Sequence, residues 1–114
     1  KIMEKLKPLL PVLKEKKRYV VFSIISKKNE NIDQIFTLIE KNYKKLFGEF
    51  GLADAGLMYL KNKSLNNKGI IRINRKCVDK LKTSFTLLNE DFIVDCAGIS
   101  GILKKAEYKY VKNI

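Results

Sequence analysis

The order in which strand-type and helix-type hydrophobic patterns alternate most constrains how this chain can fold. Residues 18–26, RYVVFSIIS, are β-branched and aromatic, which is typical of a strand. After Asn31, a residue suited to capping a helix, apolar residues recur at spacings of three, four and seven. This pattern predicts an amphipathic helix that Gly48 can close. Its apolar stripe consists of Ile32, Ile35, Phe36, Ile39, Tyr43, Leu46 and Phe47.

The same alternation of strand and helix patterns continues along the rest of the chain. Residues 51–56, GLADAG, are small and predict a loop. Asn74 can cap a second helix whose apolar positions repeat with helical spacing. The elements predicted after the first helix are a strand over 57–61, a strand over 69–73, the helix after Asn74, a strand over 91–97 and a short basic helix over 102–112.

The predicted order is therefore βαββαβ with an additional terminal helix. Two amphipathic helices need one sheet face to cover their apolar stripes, which favours an α+β sandwich with an antiparallel four-stranded sheet. This is the ferredoxin-like arrangement that RNA-recognition motifs share. The length of 114 residues fits one domain. We expect a basic arm over 1–17 and a single domain over 18–114.

The outer face of the predicted sheet is too apolar to be freely solvated. Alternation along the strands predicts that six apolar or aromatic side chains point away from the two helices. Either the terminal helix folds over this face, or a protein partner covers it. The six residues predicted to form a protein interface are Tyr19, Val21, Leu57, Tyr59, Ile70 and Ile93.

The charge of the chain makes a polyanion the leading class of partner. The sequence has 24 Lys and Arg against 12 Asp and Glu, a formal net charge of +12. The excess is clustered in residues 1–18, 72–82 and 101–114. A solubilising surface is the alternative for any single lysine, and a membrane surface is disfavoured because the basic stretches lack an aromatic opposite face. The predicted RNA contacts are Lys14, Lys16, Lys17, Arg18, Arg72, Arg75, Lys76, Lys80, Ser100, Gly101, Lys104 and Lys105.

Two short motifs bear on how RNA would be bound. Residues 68–73, KGIIRI, occupy the strand on which RNA-recognition motifs carry stacking aromatics, but Ile70 and Arg72 stand in their place. Base stacking on the sheet is therefore not expected. Residues 98–101, GISG, precede the basic helix, where backbone N–H groups can meet an anion. The alternative for Ser100 is a plain helix cap.

The composition excludes several kinds of active site. No His is present, which excludes a Ser-His-Asp triad, a Cys-His pair and His-ligated metals. Cys77 and Cys96 form no CxxC motif and are predicted to be core residues in a reducing compartment. Asp54, Asp91 and Asp95 suit turns or caps better than a magnesium site. We therefore expect neither catalytic residues nor a metal site.

Three stretches together resemble the archaeal ribonuclease P protein component 2 family. They are 10–22, LPVLKEKKRYVVF; 51–57, GLADAGL, with 69–75, GIIRINR; and 98–106, GISGILKKA. The resemblance implies a subunit of the ribonucleoprotein that removes the 5′ leader from precursor tRNA. In that family the RNA holds the active site with Mg²⁺, and the protein itself binds no cofactor.

The resemblance also implies partners and a location. These are ribonuclease P RNA, the α/β-barrel protein component 3, other ribonuclease P proteins, precursor tRNA indirectly, and a second copy of the chain within a heterotetramer. A cytoplasmic protein without membrane contact is expected. Two alternatives stay open: a generic ribosomal-type RNA-binding module, and a small acylphosphatase-like enzyme that would use Arg72 and Asn74. The second lacks an anion-cradling loop after the first strand.

Overall fold

The chain folds as one sheet with helices on both of its faces. A computed structural model describes residues 16–26, 31–63, 67–88 and 92–112. The elements are β1 (Lys17–Ile25), α1 (Ile32–Ala55), β2 (Met58–Tyr59), a 3-10 turn (Lys61–Lys63), β3 (Lys68–Asn74), a 3-10 turn (Arg75–Cys77), α2 (Val78–Thr86), β4 (Ile93–Ser100) and α3 (Leu103–Ala106), which continues as a π-helix (Glu107–Lys112). We call residues 103–112 the C-terminal helix.

The four strands form one antiparallel sheet in the order β2-β3-β1-β4. The central strand β1 pairs with β3, placing Val20 opposite Ile71, and with β4, placing Ile24 opposite Val94. Both long helices cover the same face of this sheet. The predicted α+β, ferredoxin-like βαββαβ fold with a further C-terminal helix is confirmed.

Helix α1 is longer than predicted, because Gly48 kinks it without ending it. Asn31 caps the helix by accepting a 2.9 Å hydrogen bond from the Asp33 N–H. Gly48 has φ 79° and ψ 177°, which are not helical values, yet the helix resumes and runs to Ala55. The expected loop over 51–56 is thus wrong for its first five residues. Gly56 ends the helix in the left-handed region at φ 61°.

The inner face of the sheet packs against α1 and α2 in the larger of two hydrophobic clusters. Val20 and Phe22 of β1 are fully buried, as are Ile39 of α1 and Leu81 of α2. A Cβ atom built on Gly69 would lie 2.5 Å from the Phe22 ring, so this glycine makes room for the ring on the neighbouring strand. The apolar stripes predicted for both helices thus form the core, with the exception of Leu46 of α1, which is 40% exposed and lies outside it.

The C-terminal helix covers the outer face of the sheet, which resolves the alternative left open by the sequence. Val21 and Ile70 of the sheet and Ala106 of the helix are fully buried, and Val111 is nearly so.

Strand β4 is shifted relative to the prediction: it runs to Ser100, and its pairing with β1 skips Ala97 in a bulge. The residues predicted as a loop from position 98 therefore begin as strand.

Two residues predicted to point outward instead face the helices. Leu57 and Tyr59 pack against the inner cluster, and the Tyr59 ring stacks on Phe36 with centroids 5.0 Å apart. Strand β2 has only two residues, and its register puts Tyr59 beside Ile71 and the half-exposed Met58 beside Arg72. A shift of one residue exchanges the faces of a strand, which is why this prediction is wrong.

Gly98 controls how closely the C-terminal helix approaches the sheet. A Cβ atom there would lie 2.3–2.4 Å from three atoms of the Tyr110 ring. We expect Gly98→Ala to push this ring away and lower the free energy of unfolding by about 1–3 kcal/mol, measured by urea denaturation. Gly101→Ala is the matched control, because its Cβ would make only ordinary contact, 3.4 Å from Arg18. Equal losses in both variants would contradict this account.

Tyr43 is a fully buried phenol whose hydroxyl has no hydrogen-bond partner among the described residues. Burial raises the pKa of Tyr43 above its ordinary value of 10.0, and Cys77 and Asp54 add to the shift. The folded state therefore keeps the proton at a pH where the unfolded state loses it, so stability falls as the pH rises above about 10.

We expect Tyr43→Phe to remove that part of the alkaline loss and to cost less than about 1 kcal/mol at neutral pH, since no hydrogen bond is broken. Thermal melts of both proteins at neutral and at alkaline pH test this. Parallel decreases in stability with rising pH would show that the tyrosine is not responsible.

Candidate nucleic-acid interface

Strand register gathers basic residues at one end of the sheet. The start of β1 lies beside the end of β3, where Lys17 pairs with Asn74, and beside the end of β4, where Tyr19 pairs with Ser100. The N–H of Arg75 donates a 2.8 Å hydrogen bond to the carbonyl of Lys16, so the residues that follow β3 stay next to those that precede β1. We call the resulting cluster the basic edge; it consists of Lys16, Lys17, Arg18, Arg75 and Lys76.

Arg18 is the most constrained cation of the basic edge. Its Nη1 donates a 2.9 Å hydrogen bond to the Lys17 carbonyl. The guanidinium also lies against Gly101, where a Cβ atom would come within 3.4 Å of it. The group is half-buried and keeps N–H groups free for a further acceptor. A positioned guanidinium suits a phosphate, to which it can donate two parallel hydrogen bonds.

Asn74 ties together three elements beneath the basic edge. The residue is 6% exposed; its Oδ1 accepts from the Lys17 ammonium, and its Nδ2 donates to the backbone carbonyl of Asp54 at the end of α1. It occupies the N-cap position of the 3-10 turn that leads into α2, as predicted, but its side chain makes no capping hydrogen bond there. Because both ends of the amide are committed to structure, the acylphosphatase-like use of Asn74 loses support.

The cations of the basic edge have no ion-pair partner within the described part of the chain. There, the ion pairs are Lys44–Glu49 at 3.4 Å, Lys61–Asp33 at 3.1 Å and Lys63–Glu107 at 3.8 Å. The hydrogen bond from Lys61 holds the pKa of Asp33 below its usual value, partly offset by desolvation. Carboxylates thus neutralise lysines elsewhere, while the positive charge of the basic edge remains available to an anion.

Several predicted RNA contacts lie elsewhere than the basic edge. Arg72 is on the outer face between Tyr19 and Met58, and its Nε is buried without a hydrogen-bond partner among the described residues. Lys80 projects from α2 with its Nζ 5.6 Å from the centre of the Phe47 ring. Lys14 lies outside the described residues.

The remaining predicted contacts lie at and after the end of β4. Ser100 belongs to the strand, and its Oγ accepts a 3.1 Å hydrogen bond from the Ile102 N–H. The helix starts at Leu103, so the prediction that Ser100 caps it is wrong. Lys104 and Lys105 are exposed on the C-terminal helix.

The predicted protein interface is mostly closed by the chain itself. Val21 and Ile70 lie beneath the C-terminal helix, and Tyr19 packs beside them. Ile93 is the exception: it is 62% exposed beside Ile25, its 58% exposed partner on β1. These two side chains form an apolar surface at the end of the sheet opposite the basic edge.

Three residues that the structure exposes are absent from the predicted sites. Phe50 follows the kink in α1 and is 93% exposed. It lies between the predicted end of the helix at Gly48 and the predicted loop over 51–56, so no role is predicted for it. Tyr108 and Lys109 extend the exposed face of the C-terminal helix beyond Lys105. The helical spacing of Lys104 and Tyr108, four residues apart, is the signal that could have identified this face.

Metal ligands and reactive thiols were looked for among the described residues. They contain no group of three or more His, Cys, Asp or Glu side chains placed to hold a metal ion. Cys77 is a buried free thiol, and burial raises the pKa of the Cys96 thiol, which disfavours the reactive thiolate. No helix within the described ranges is long and apolar enough to cross a membrane.

Comparisons with known proteins agree on one family. The model of the Rpp14/Pop5 family matches residues 18–111. Ribonuclease P protein component 2 of Pyrococcus horikoshii is 32% identical, with 96% of this chain and 95% of the relative covered. The same component of Methanocaldococcus jannaschii is 33% identical over 96% of this chain and 84% of its own length.

A solved structure has the same fold. A chain in the cryo-EM structure of yeast ribonuclease MRP matches with a TM-score of 0.59 and 15% identity, covering 83% of this chain and 86% of that one. The family model spans the sheet and most of the C-terminal helix, and curated relatives match almost from end to end. The chain therefore belongs to the Rpp14/Pop5 family.

Proposed function

We propose that this chain is a protein subunit of ribonuclease P and that it binds and stabilises the catalytic part of the RNA. The observation that carries the proposal is the basic edge, where strand register collects five cations with no carboxylate partner among the described residues. Membership of the family whose curated relatives are named ribonuclease P protein component 2 supports the same conclusion.

In this proposal the chemistry belongs to the RNA. The polypeptide supplies no catalytic side chain and binds no cofactor, and Mg²⁺ acts in the RNA active site. The absence of His from the sequence and the raised pKa of the Cys96 thiol support this division of labour. The protein contributes to cleavage of the 5′ leader by holding the RNA in its active fold.

Electrostatics supply the mechanism. RNA segments that converge repel one another, and cations placed between them lower that repulsion without a diffusible ion. Arg18 is held in position to bind one phosphate, and Lys17 is held by its hydrogen bond to Asn74. The exposed Lys16 and Lys76 act as mobile point charges. Each phosphate neutralised also releases condensed counterions, which lowers log affinity by about 0.7–0.9 per tenfold rise in salt.

The proposed assembly includes further partners. They are protein component 3, the other ribonuclease P proteins, a second copy of this chain within a heterotetramer, and precursor tRNA indirectly, all in the cytoplasm. Ile25 and Ile93 are exposed at the end of the sheet away from the basic edge. This separation would let a protein contact form there while RNA occupies the basic edge.

The contribution of the basic edge can be measured through salt dependence. We expect Lys16→Ala/Lys17→Ala/Arg18→Ala to flatten the plot of log affinity for ribonuclease P RNA against log salt by about 2–3 units, as three phosphate contacts disappear. The control Lys41→Ala/Lys44→Ala/Lys45→Ala removes the same charge from α1. A flattened slope in the control alone, or in neither variant, contradicts the proposal. Circular dichroism verifies that both variants are folded.

Cleavage by the reconstituted holoenzyme provides a second test. Because fixed cations replace magnesium in screening RNA repulsion, we expect the same triple variant of the basic edge to raise the Mg²⁺ concentration needed for half-maximal cleavage of precursor tRNA. Activity at saturating Mg²⁺ should be nearly unchanged. Cleavage by the polypeptide alone, freed of RNA, would overturn the assignment of the chemistry to the RNA.

A further inference from the structure

The exposed face of the C-terminal helix presents an aromatic ring surrounded by lysines. Tyr108 is 78% exposed, whereas aromatic side chains stabilise a fold chiefly through the large area they bury. Lys104, Lys105 and Lys109 line the same shallow depression of about 510 Å³ together with this ring. No motif in the strands accounts for this arrangement, and the basic edge does not include it.

The opposite face of the helix explains why Tyr108 points outward. Ala106 and Val111 are buried against Val21 and Ile70, and the Tyr110 ring lies over Gly98. These contacts set the rotation of the helix about its axis. Lys104, Lys105 and Tyr108 are separated by three and four residues, so they share the remaining face. The ring is thus held outward by packing that does not involve it.

The electrostatic surroundings of the ring are positive. Glu107 is the nearest acid in sequence, but its side chain is only 17% exposed and pairs with Lys63 at 3.8 Å. None of the three lysines has an ion-pair partner among the described residues. Lys109 instead lies with its Nζ 5.5 Å from the centre of the Tyr110 ring.

We propose that Tyr108 is a stacking site for an unpaired RNA base, with Lys104, Lys105 and Lys109 holding the phosphates on either side of that base. An exposed ring offers its π-face to any base, and flanking cations follow the backbone. The inference rests on the proposed function in RNA binding. Ile70 and Arg72 stand on the sheet where RNA-recognition motifs carry stacking aromatics. In this proposal, base stacking takes place instead on the C-terminal helix that covers the sheet.

The helix that carries Tyr108 begins close to the basic edge. The helix starts two residues after Gly101, against which the Arg18 guanidinium lies. In this proposal, an RNA strand with one phosphate at Arg18 continues along the helix that carries Tyr108. The carboxylates of an acidic peptide would pair with the lysines without stacking on the Tyr108 ring. Removal of the ring therefore distinguishes binding of RNA from binding of an acidic peptide.

Fluorescence gives a direct test, because the chain contains no tryptophan. Tyr108→Trp places the sole indole at the site, and we expect a short oligouridine to quench its emission in a saturable way. Phe50→Trp is the matched control on α1, at a residue that is 93% exposed, and should stay unquenched. Inorganic polyphosphate, which has charge but no bases, should leave the Tyr108→Trp emission unchanged. Equal quenching by polyphosphate would overturn the proposal.

Affinity measurements separate stacking from charge. We expect Tyr108→Ala to weaken oligouridine binding by about 5- to 150-fold with an unchanged salt slope, and Tyr108→Phe to retain the affinity of the natural chain. Lys104→Ala/Lys105→Ala should instead flatten the slope by about 1.4 units, the value for two contacts to a single strand.

The outcomes also separate this inference from the proposed function. If Tyr108→Ala binds as well as the natural chain while the triple variant of the basic edge does not, the stacking site is refuted and RNA binding stands. If Tyr108→Ala and Tyr108→Phe lose affinity equally, the ring face is not the contact and the inference is likewise refuted. If the natural chain binds neither oligouridine nor ribonuclease P RNA, both proposals fall.

Discussion

Burial of β1 on both faces is the constraint on which the rest of the structure depends. Val20 and Phe22 are enclosed by the two long helices, and Val21, between them, is enclosed by the C-terminal helix. The strand also pairs on both edges, so its position is determined in all directions. The basic residues at the start of this strand stay partly exposed, and they lie where β3 and β4 end.

Covering the outer face has a consequence for RNA recognition. In an open sheet of this topology, outward side chains can read unpaired bases, but here Val21 and Ile70 are sealed by Ala106 and Val111. The C-terminal helix that covers these residues has an exposed face of its own, which carries the Tyr108 ring and three lysines. The fold thus keeps the topology of an RNA-recognition motif while its cations lie at the rim and on the added helix.

The sequence predicts what periodicity controls and misses what a single contact decides. The apolar stripe of α1 and the order of strands and helices are predicted largely correctly, because each of these predictions rests on a pattern of many residues. The extension of α1 to Ala55 is missed because the small residues after Gly48 read as a loop, although Ala is an excellent helix former and Gly56 caps. The faces of Leu57 and Tyr59 depend on one register step in a two-residue strand.

The candidate site was predictable in composition but not in arrangement. Lys16, Lys17 and Arg18 are adjacent in sequence, whereas Arg75 joins them only through strand pairing and its hydrogen bond to Lys16. Cations held together without carboxylates repel one another, which disfavours the folded state of the isolated chain. A polyanion relieves that repulsion when it binds, so part of the electrostatic free energy of RNA binding is already stored in the fold. The same strand pairing that stabilises the sheet therefore preorganises the charge that RNA would neutralise in the proposed function.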